Sequence, residues 1–238
     1  MGAIEISAVV PVYNEEQNLP ILVSRLSEVL EGLRLSYEMI FVDDGSADRS
    51  REILREIVSR YPSLRIIGFK ENRGLSAALL AGIREAQGSK IITLDSDLQN
   101  DPGDIPKLLG HLDRYDMATG WRQRREDPWL KKISSKIANA IRNRLSGEEI
   151  KDSACTLRAF KKECIREIPV FNGMHRFLST LVKMEGYKII EVPVSHHPRK
   201  FGKSKYNIRN RMGRSFVDLL GVRWMKKRRI HYDIEERI

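Results

Sequence analysis

The chain has 238 residues, 41% of them hydrophobic, and a formal charge of +10. That length suits one substantial domain, and no apolar run approaches the roughly 18 to 20 residues of a membrane span. The only two cysteines, Cys155 and Cys164, lack CxxC spacing, and the simple reading is a reduced, cytosolic chain.

No signal-peptide pattern precedes the first strand-like segment, Ile4–Val12. Further strands are expected at Tyr37–Val42, Leu64–Phe69, Lys90–Leu94 and Asp116–Thr119. Helices are expected at Glu16–Glu31, Asp48–Tyr61, Gly74–Gln87 and Asp104–Arg114. Apolar strands alternating with helices predict an α/β domain with a mainly parallel sheet covered on both faces. Ligands of such sheets bind outside the carboxyl ends of the strands. The polar clusters fall at those ends.

Beyond residue 120 the pattern changes. Pro128–Leu145 reads as a helix with Trp129, Ile133, Ile137, Ile141 and Leu145 at four-residue spacing and Lys/Arg on its other faces. It suits either a membrane interface or an ordinary core contact. Ile189–Ser195 reads as a strand, and a last helix is expected from about Tyr206 to Met225. Residues 199–229 hold 12 Lys/Arg against one acid, Asp218, so the basic excess is local. It implies a polyanionic partner: a phosphate-bearing substrate, an anionic membrane or nucleic acid. The expected organisation is a catalytic domain over 1–205, with a donor half (1–120) and an acceptor half (121–205), followed by a basic helical tail over 206–238.

Asp95 and Asp97 follow the buried run Ile91–Leu94. In extended chain, residues i and i+2 share a face, so these carboxylates and Gln99 can offer hard oxygens to Mg²⁺ or Mn²⁺. The competing reading is a solvated loop. Pro11, Tyr13 and Glu15 close the first strand, where Tyr13 can stack on a base and Glu15 accept a hydrogen bond; a plain strand end is the alternative. Asp43 at the second strand tip can accept from the imide N–H of a base, or belong to a helix-capping turn. Asn72-Arg73-Gly74 is a turn or a ligand contact. Arg122 is a phosphate partner or a surface cation, and Asp152 a base, a sugar-positioning group or a cap. His196 and His197 point to opposite sides of an extended chain, which disfavours a metal pair. Arg199, Lys203, Ser204 and Lys205 around Gly202 suit a phosphate.

In order, VVPVYNE, VDDGS, NRG, LDSDLQNDP, GWR, DSACTLRAF and HHPRKFGKSK resemble family-2 glycosyltransferases of GT-A fold, and among them the polyprenol-phosphate sugar transferases. The likeness covers roughly residues 4–215. It implies a base site at Pro11, Tyr13, Glu15 and Asp43, metal ligands Asp95, Asp97 and Gln99, phosphate contacts from Arg122, Arg199 and Lys205, and Asp152 near the reacting centre. It also implies that 129–145 is an interfacial helix. The expected activity is metal-dependent, inverting transfer from a GDP- or UDP-sugar to a polyprenyl phosphate, on the cytoplasmic face of a membrane, through peripheral attachment or a separate membrane-protein partner. The alternatives are a transferase using a sugar hydroxyl as acceptor, and a nucleic-acid binder using the basic region.

Overall fold

The computed structural model describes residues 3–122, 150–201, 208–230 and 236. The expected helix at 128–145, together with Lys203, Ser204 and Lys205, lies outside the described residues. So does the 205/206 boundary.

Seven strands form one sheet: β1 (Ile6–Val12), β2 (Tyr37–Asp43), β3 (Leu64–Gly68), β4 (Lys90–Thr93), β5 (Met117–Arg122), β6 (Arg158–Lys161) and β7 (Ile189–Val194), in the order β3-β2-β1-β4-β6-β5-β7. Among the pairings of these seven strands, only the two made by β6 are antiparallel. The helices are α1 (Leu19–Gly32), α2 (Ser50–Val58), α3 (Leu75–Glu85), α4 (Ile105–Leu109), α5 (Leu178–Met184) and α6 (Ile208–Arg228).

The sheet has a core on each face because its central strands alternate between them. Ile6, Ala8, Val10 and Val12 of β1 join Met39 and Phe41 of β2 under α1 and α2. Val9, Ile40 and Val42 point the other way, toward α3, α5 and α6. Period-two alternation with apolar residues at both phases is what a sheet covered on both sides requires. The approach of α3 is close: a Cβ on Gly82 would lie 2.4 Å from Val9 Cγ1.

Two elements escape sequence reading. β6 is four residues, Arg-Ala-Phe-Lys, and opens on a charge. α5 is seven residues, buried except at Lys183, and so shows no amphipathic stripe. The helix expected over 104–114 is a 3₁₀ turn, Pro102–Asp104, followed by the five residues of α4. α6 is anchored on the domain: Leu219 and Val222 are buried, Arg176 Nη2 lies 2.6 Å from Asp218 Oδ2, and Arg229 Nη2 lies 2.7 Å from Glu185 Oε2.

Candidate active site

The crevice begins at Pro11. β1 pairs with β2 along its whole length, Ile6↔Tyr37 to Val12↔Asp43, but with β4 only as far as Val9↔Thr93. Pro11 shares the flank of Val9 and has no N–H to continue that ladder. The strands therefore part beyond Val9, at the point where the sheet order turns back. This is where open α/β sheets bind ligands. A cavity opens here, lined by Pro11, Thr93, Asp95, Thr156, Arg158 and His175.

The ends of β1 and β2 build one wall. Asp43 is fully buried; its Oδ2 receives Arg51 Nε at 2.5 Å and its Oδ1 receives Ser46 N–H at 3.2 Å. Asp44 holds the loop after β3: Arg73 N–H donates to Oδ1 (2.6 Å), while Gly74 N–H and Asn72 Nδ2 donate to Oδ2 (both 2.9 Å). Sequence reading singled out Asp43 and passed over Asp44, although the pair is adjacent. Gly45, at φ +67°, lets the turn lie against that loop, since a Cβ would come within 2.5 Å of the Glu71 carbonyl carbon. Tyr13 is partly buried beside Glu15, whose Oε2 receives Asn18 Nδ2 at 2.5 Å.

Asp95 and Asp97 stand at the end of β4. Burial, then the charge of Asp97, push the Asp95 carboxyl up to about 6, against a hydrogen bond from Thr156 and the nearby cations Arg158 and Arg122. Burial also raises Asp97, opposed by Arg199 and by the Gln99 N–H. The chain does not stay extended past Asp97, because Leu98 takes φ +61°. The face-sharing expected for Gln99 therefore fails; its N–H bonds Asp97 Oδ1 at 3.2 Å and its Nε2 lies 3.5 Å from the His197 carbonyl.

β7 delivers the third wall. An antiparallel bridge pairs Asn100 with His196, and His197 N–H donates to Gln99 O at 2.9 Å. The loop after β7 is thereby laid against the loop after β4, and Arg199 reaches across. Its Nη2 lies 2.6 Å from Asp97 Oδ2 and its Nη1 lies 3.2 Å from Glu15 Oε1. His196 and His197 do not act as a pair: His197 Nε2 lies 3.1 Å from Asp101 Oδ2.

Asp152 and Arg122 form a two-point clamp. Arg122 donates Nε to Oδ2 (2.7 Å) and Nη2 to Oδ1 (2.9 Å), and its backbone N–H also reaches Oδ2 (3.2 Å). Glu191 of β7, unmarked in the sequence, fixes the segment by accepting the N–H groups of Lys151 (2.9 Å) and Asp152 (3.1 Å) on Oε1. Arg158 is 1% exposed, and Nη2 donates to the carbonyls of Ser153 (3.2 Å) and His175 (3.3 Å). Its Nε has no partner among the described residues. Burial lowers its pKa, while the neighbouring Asp95 and Asp152 favour its charge.

The donor chemistry fits a hard divalent cation. Two neighbouring carboxylates held toward protonation by burial and, for Asp95, by the other's charge are what such an ion relieves. Among the described residues no group of three or more His, Cys, Asp or Glu is placed to hold a metal. A Mg²⁺-type ion commonly takes one or two carboxylates and completes its shell with substrate phosphates.

The sequence pattern of glycosyl transferase family 2 matches residues 7–169. The chain belongs to this family. That membership decides for the enzyme over the nucleic-acid binder. This family-2 glycosyltransferase is 39% identical, over 92% of its length, to dodecaprenyl-phosphate galacturonate synthase of Rhizobium johnstonii. It is 37% identical, over 85%, to undecaprenyl-phosphate 4-deoxy-4-formamido-L-arabinose transferase of Edwardsiella ictaluri. It spans 67% and 63% of those two proteins. Its GT-A fold is shared with glucosyl-3-phosphoglycerate synthase of Mycobacterium tuberculosis, solved with Mn²⁺, UDP and phosphoglyceric acid (TM-score 0.70, 19% identity, 92% of this chain and 78% of that one). It also resembles the mannosyltransferase PcManGT of Pyrobaculum calidifontis, solved with GDP-mannose and Mn²⁺ (TM-score 0.59, 20% identity, 81% and 56% covered).

Proposed function

We propose that this glycosyltransferase moves a sugar from a nucleoside diphosphate to a polyprenyl phosphate, with inversion at the anomeric carbon. The observation that carries the choice of acceptor is the Arg122 clamp on Asp152. Both carboxylate oxygens are engaged by one guanidinium at 2.7 and 2.9 Å. A carboxylate so held is a poor base for a sugar hydroxyl. A phosphate monoester, with a second pKa of about 6, is mostly dianionic near pH 7 and attacks without one. The two relatives named above, both called polyprenyl-phosphate enzymes, support the same acceptor class.

In this reading Pro11, Tyr13, Glu15 and Asp43 border the base, and Asp44 holds the Asn72–Gly74 loop beside it. Asp95 and Asp97, with Gln99 near them, hold Mg²⁺ or Mn²⁺, which supplies positive charge where the leaving diphosphate gains negative charge. Arg122 and Arg199 stand at the same end of the sheet, where they neutralise phosphate oxygens. Lys205 is proposed to join them. Asp152 keeps Arg122 in register.

The test is transfer of radiolabelled sugar from UDP- and GDP-sugars in Mn²⁺. Label is expected to enter the organic phase only when polyprenyl phosphate is present. Label captured by free sugar hydroxyls, with none in the lipid, would sink the acceptor assignment.

The acceptor implies work at a membrane surface, on its cytoplasmic face. Among the described residues no helix is long and apolar enough to cross a membrane. α6 instead turns Phe216, Val217, Leu220 and Trp224 outward, with Trp224 63% exposed, and ends in Lys226, Lys227 and Arg228. Apolar side chains beside cations suit an anionic interface. Binding to vesicles with anionic lipid is expected to weaken as salt rises, and Trp224→Ser to weaken it several-fold. Sedimentation with vesicles that is absent at every salt concentration would remove the membrane claim and favour recruitment by a protein partner.

A further inference from the structure

Arg199 ties together two acids that the proposed function gives to different parts of the donor. Glu15 follows β1 on the base side, Asp97 follows β4 on the metal side, and Arg199 comes from the loop after β7. Its guanidinium is 2.6 Å from Asp97 Oδ2 and 3.2 Å from Glu15 Oε1. The other Asp97 oxygen is taken by the Gln99 N–H at 3.2 Å. A Mg²⁺-type ion needs carboxylate oxygen at about 2.0–2.1 Å. A cation meeting Asp97 Oδ2 at that distance meets the guanidinium as well, and the two repel.

We propose that Arg199 is a built-in counter-ion for the Glu15–Asp97 pair, released only when a diphosphate offers it better partners, so that metal and nucleotide load together. The inference rests on the reading that Asp97 is a metal ligand. The exchange is chemically even, because the planar fork of arginine matches a carboxylate and a phosphate equally well. The root of the arm is fixed by the Asn100–His196 bridge and the His197–Gln99 hydrogen bond. The Arg199 side chain is 26% exposed, so its guanidinium can turn on that fixed root without disturbing the core. The consequence is selectivity for the complete donor. Free metal meets a site already neutralised, whereas a metal–diphosphate brings the anion that draws Arg199 away as the cation takes its place.

The experiment is a Mn²⁺ titration followed by electron paramagnetic resonance, on protein alone and with UDP or GDP. Without nucleotide, Arg199→Ala is expected to bind Mn²⁺ about 10-fold tighter than wild type. With the nucleotide, the order is expected to reverse, because the variant has lost a phosphate contact. Arg199→Lys keeps the charge without the fork and is expected to fall between the two; it carries the test if Arg199→Ala does not fold. Mn²⁺ affinity without nucleotide that is no tighter in either variant overturns the proposal. Asp97→Asn separates the two ideas. If it still retains Mn²⁺ in the presence of nucleotide, the metal-site reading fails and takes the proposal with it. If it loses Mn²⁺ while the Arg199 variants match wild type, only the counter-ion fails.

Discussion

Asp97→Asn is expected to lower kcat/KM for sugar transfer by about 1000-fold, the equivalent of about 4 kcal/mol of transition-state stabilisation. The leaving nucleoside diphosphate gains negative charge as the glycosidic bond breaks. A site that surrounds it with carboxylates and no ion would oppose that change. Asp97 is buried and meets Arg199 at 2.6 Å, so the amide also leaves a guanidinium beside a neutral group. The measurement is initial rate against Mn²⁺ and donor concentration, with nucleotide-dependent Mn²⁺ binding recorded on the same samples. Activity within about 10-fold of wild type, with metal binding intact, would remove Asp97 from the metal site.

Asp152→Asn is expected to act differently. Its partner Arg122 is only 15% exposed at the side chain, and the substitution removes the charge it is paired with. Removing one member of a buried pair costs about 3–5 kcal/mol of stability, so a clear fall in melting temperature should accompany a loss of activity smaller than that of Asp97→Asn. The acid limb of the pH–rate profile should survive, because a positioning carboxylate contributes no essential ionisation of its own. A double variant, Asp152→Asn with Arg122→Ala, should be little worse than Arg122→Ala alone, since both act through one contact. Loss of the acid limb in Asp152→Asn, with stability unchanged, would restore Asp152 as a base and shift the acceptor toward a hydroxyl.

The two substitutions separate what sequence motifs treat alike. Asp97 and Asp152 each appear in the sequence as an acid next to a serine. In the structure Asp97 meets a guanidinium that it shares with Glu15, and Asp152 meets one that holds it by three donor contacts. Arg122 and Arg199 also look equivalent as isolated cations near polar loops. Their partners differ: Arg122 holds both oxygens of Asp152, whereas Arg199 joins two acids from separate strands.

By itself the sequence determined the alternation of strands and helices over the first 120 residues, the buried character of β1, β2 and β4, and the collection of acids at strand ends. Those features are local. An apolar run with both phases filled must be covered on both faces, and the polar residues that end it must lie beyond the strand end. The family likeness rested on the same short runs. Tertiary structure alone decided which strand ends meet. The parting of β1 from β4 beyond Val9, the insertion of antiparallel β6, and the bridge that lays His196 on Asn100 depend on residues up to about a hundred positions apart. Glu191, Arg158 and Asp44 took on roles for the same reason: each acts through hydrogen bonds to backbone groups that only the folded chain brings within reach. Periodicity records which face a residue occupies, but not which distant loop will face it. That is why the adjacent carboxylates of Asp95 and Asp97 could be read from the sequence, while the guanidinium that Arg199 places against Asp97 could not.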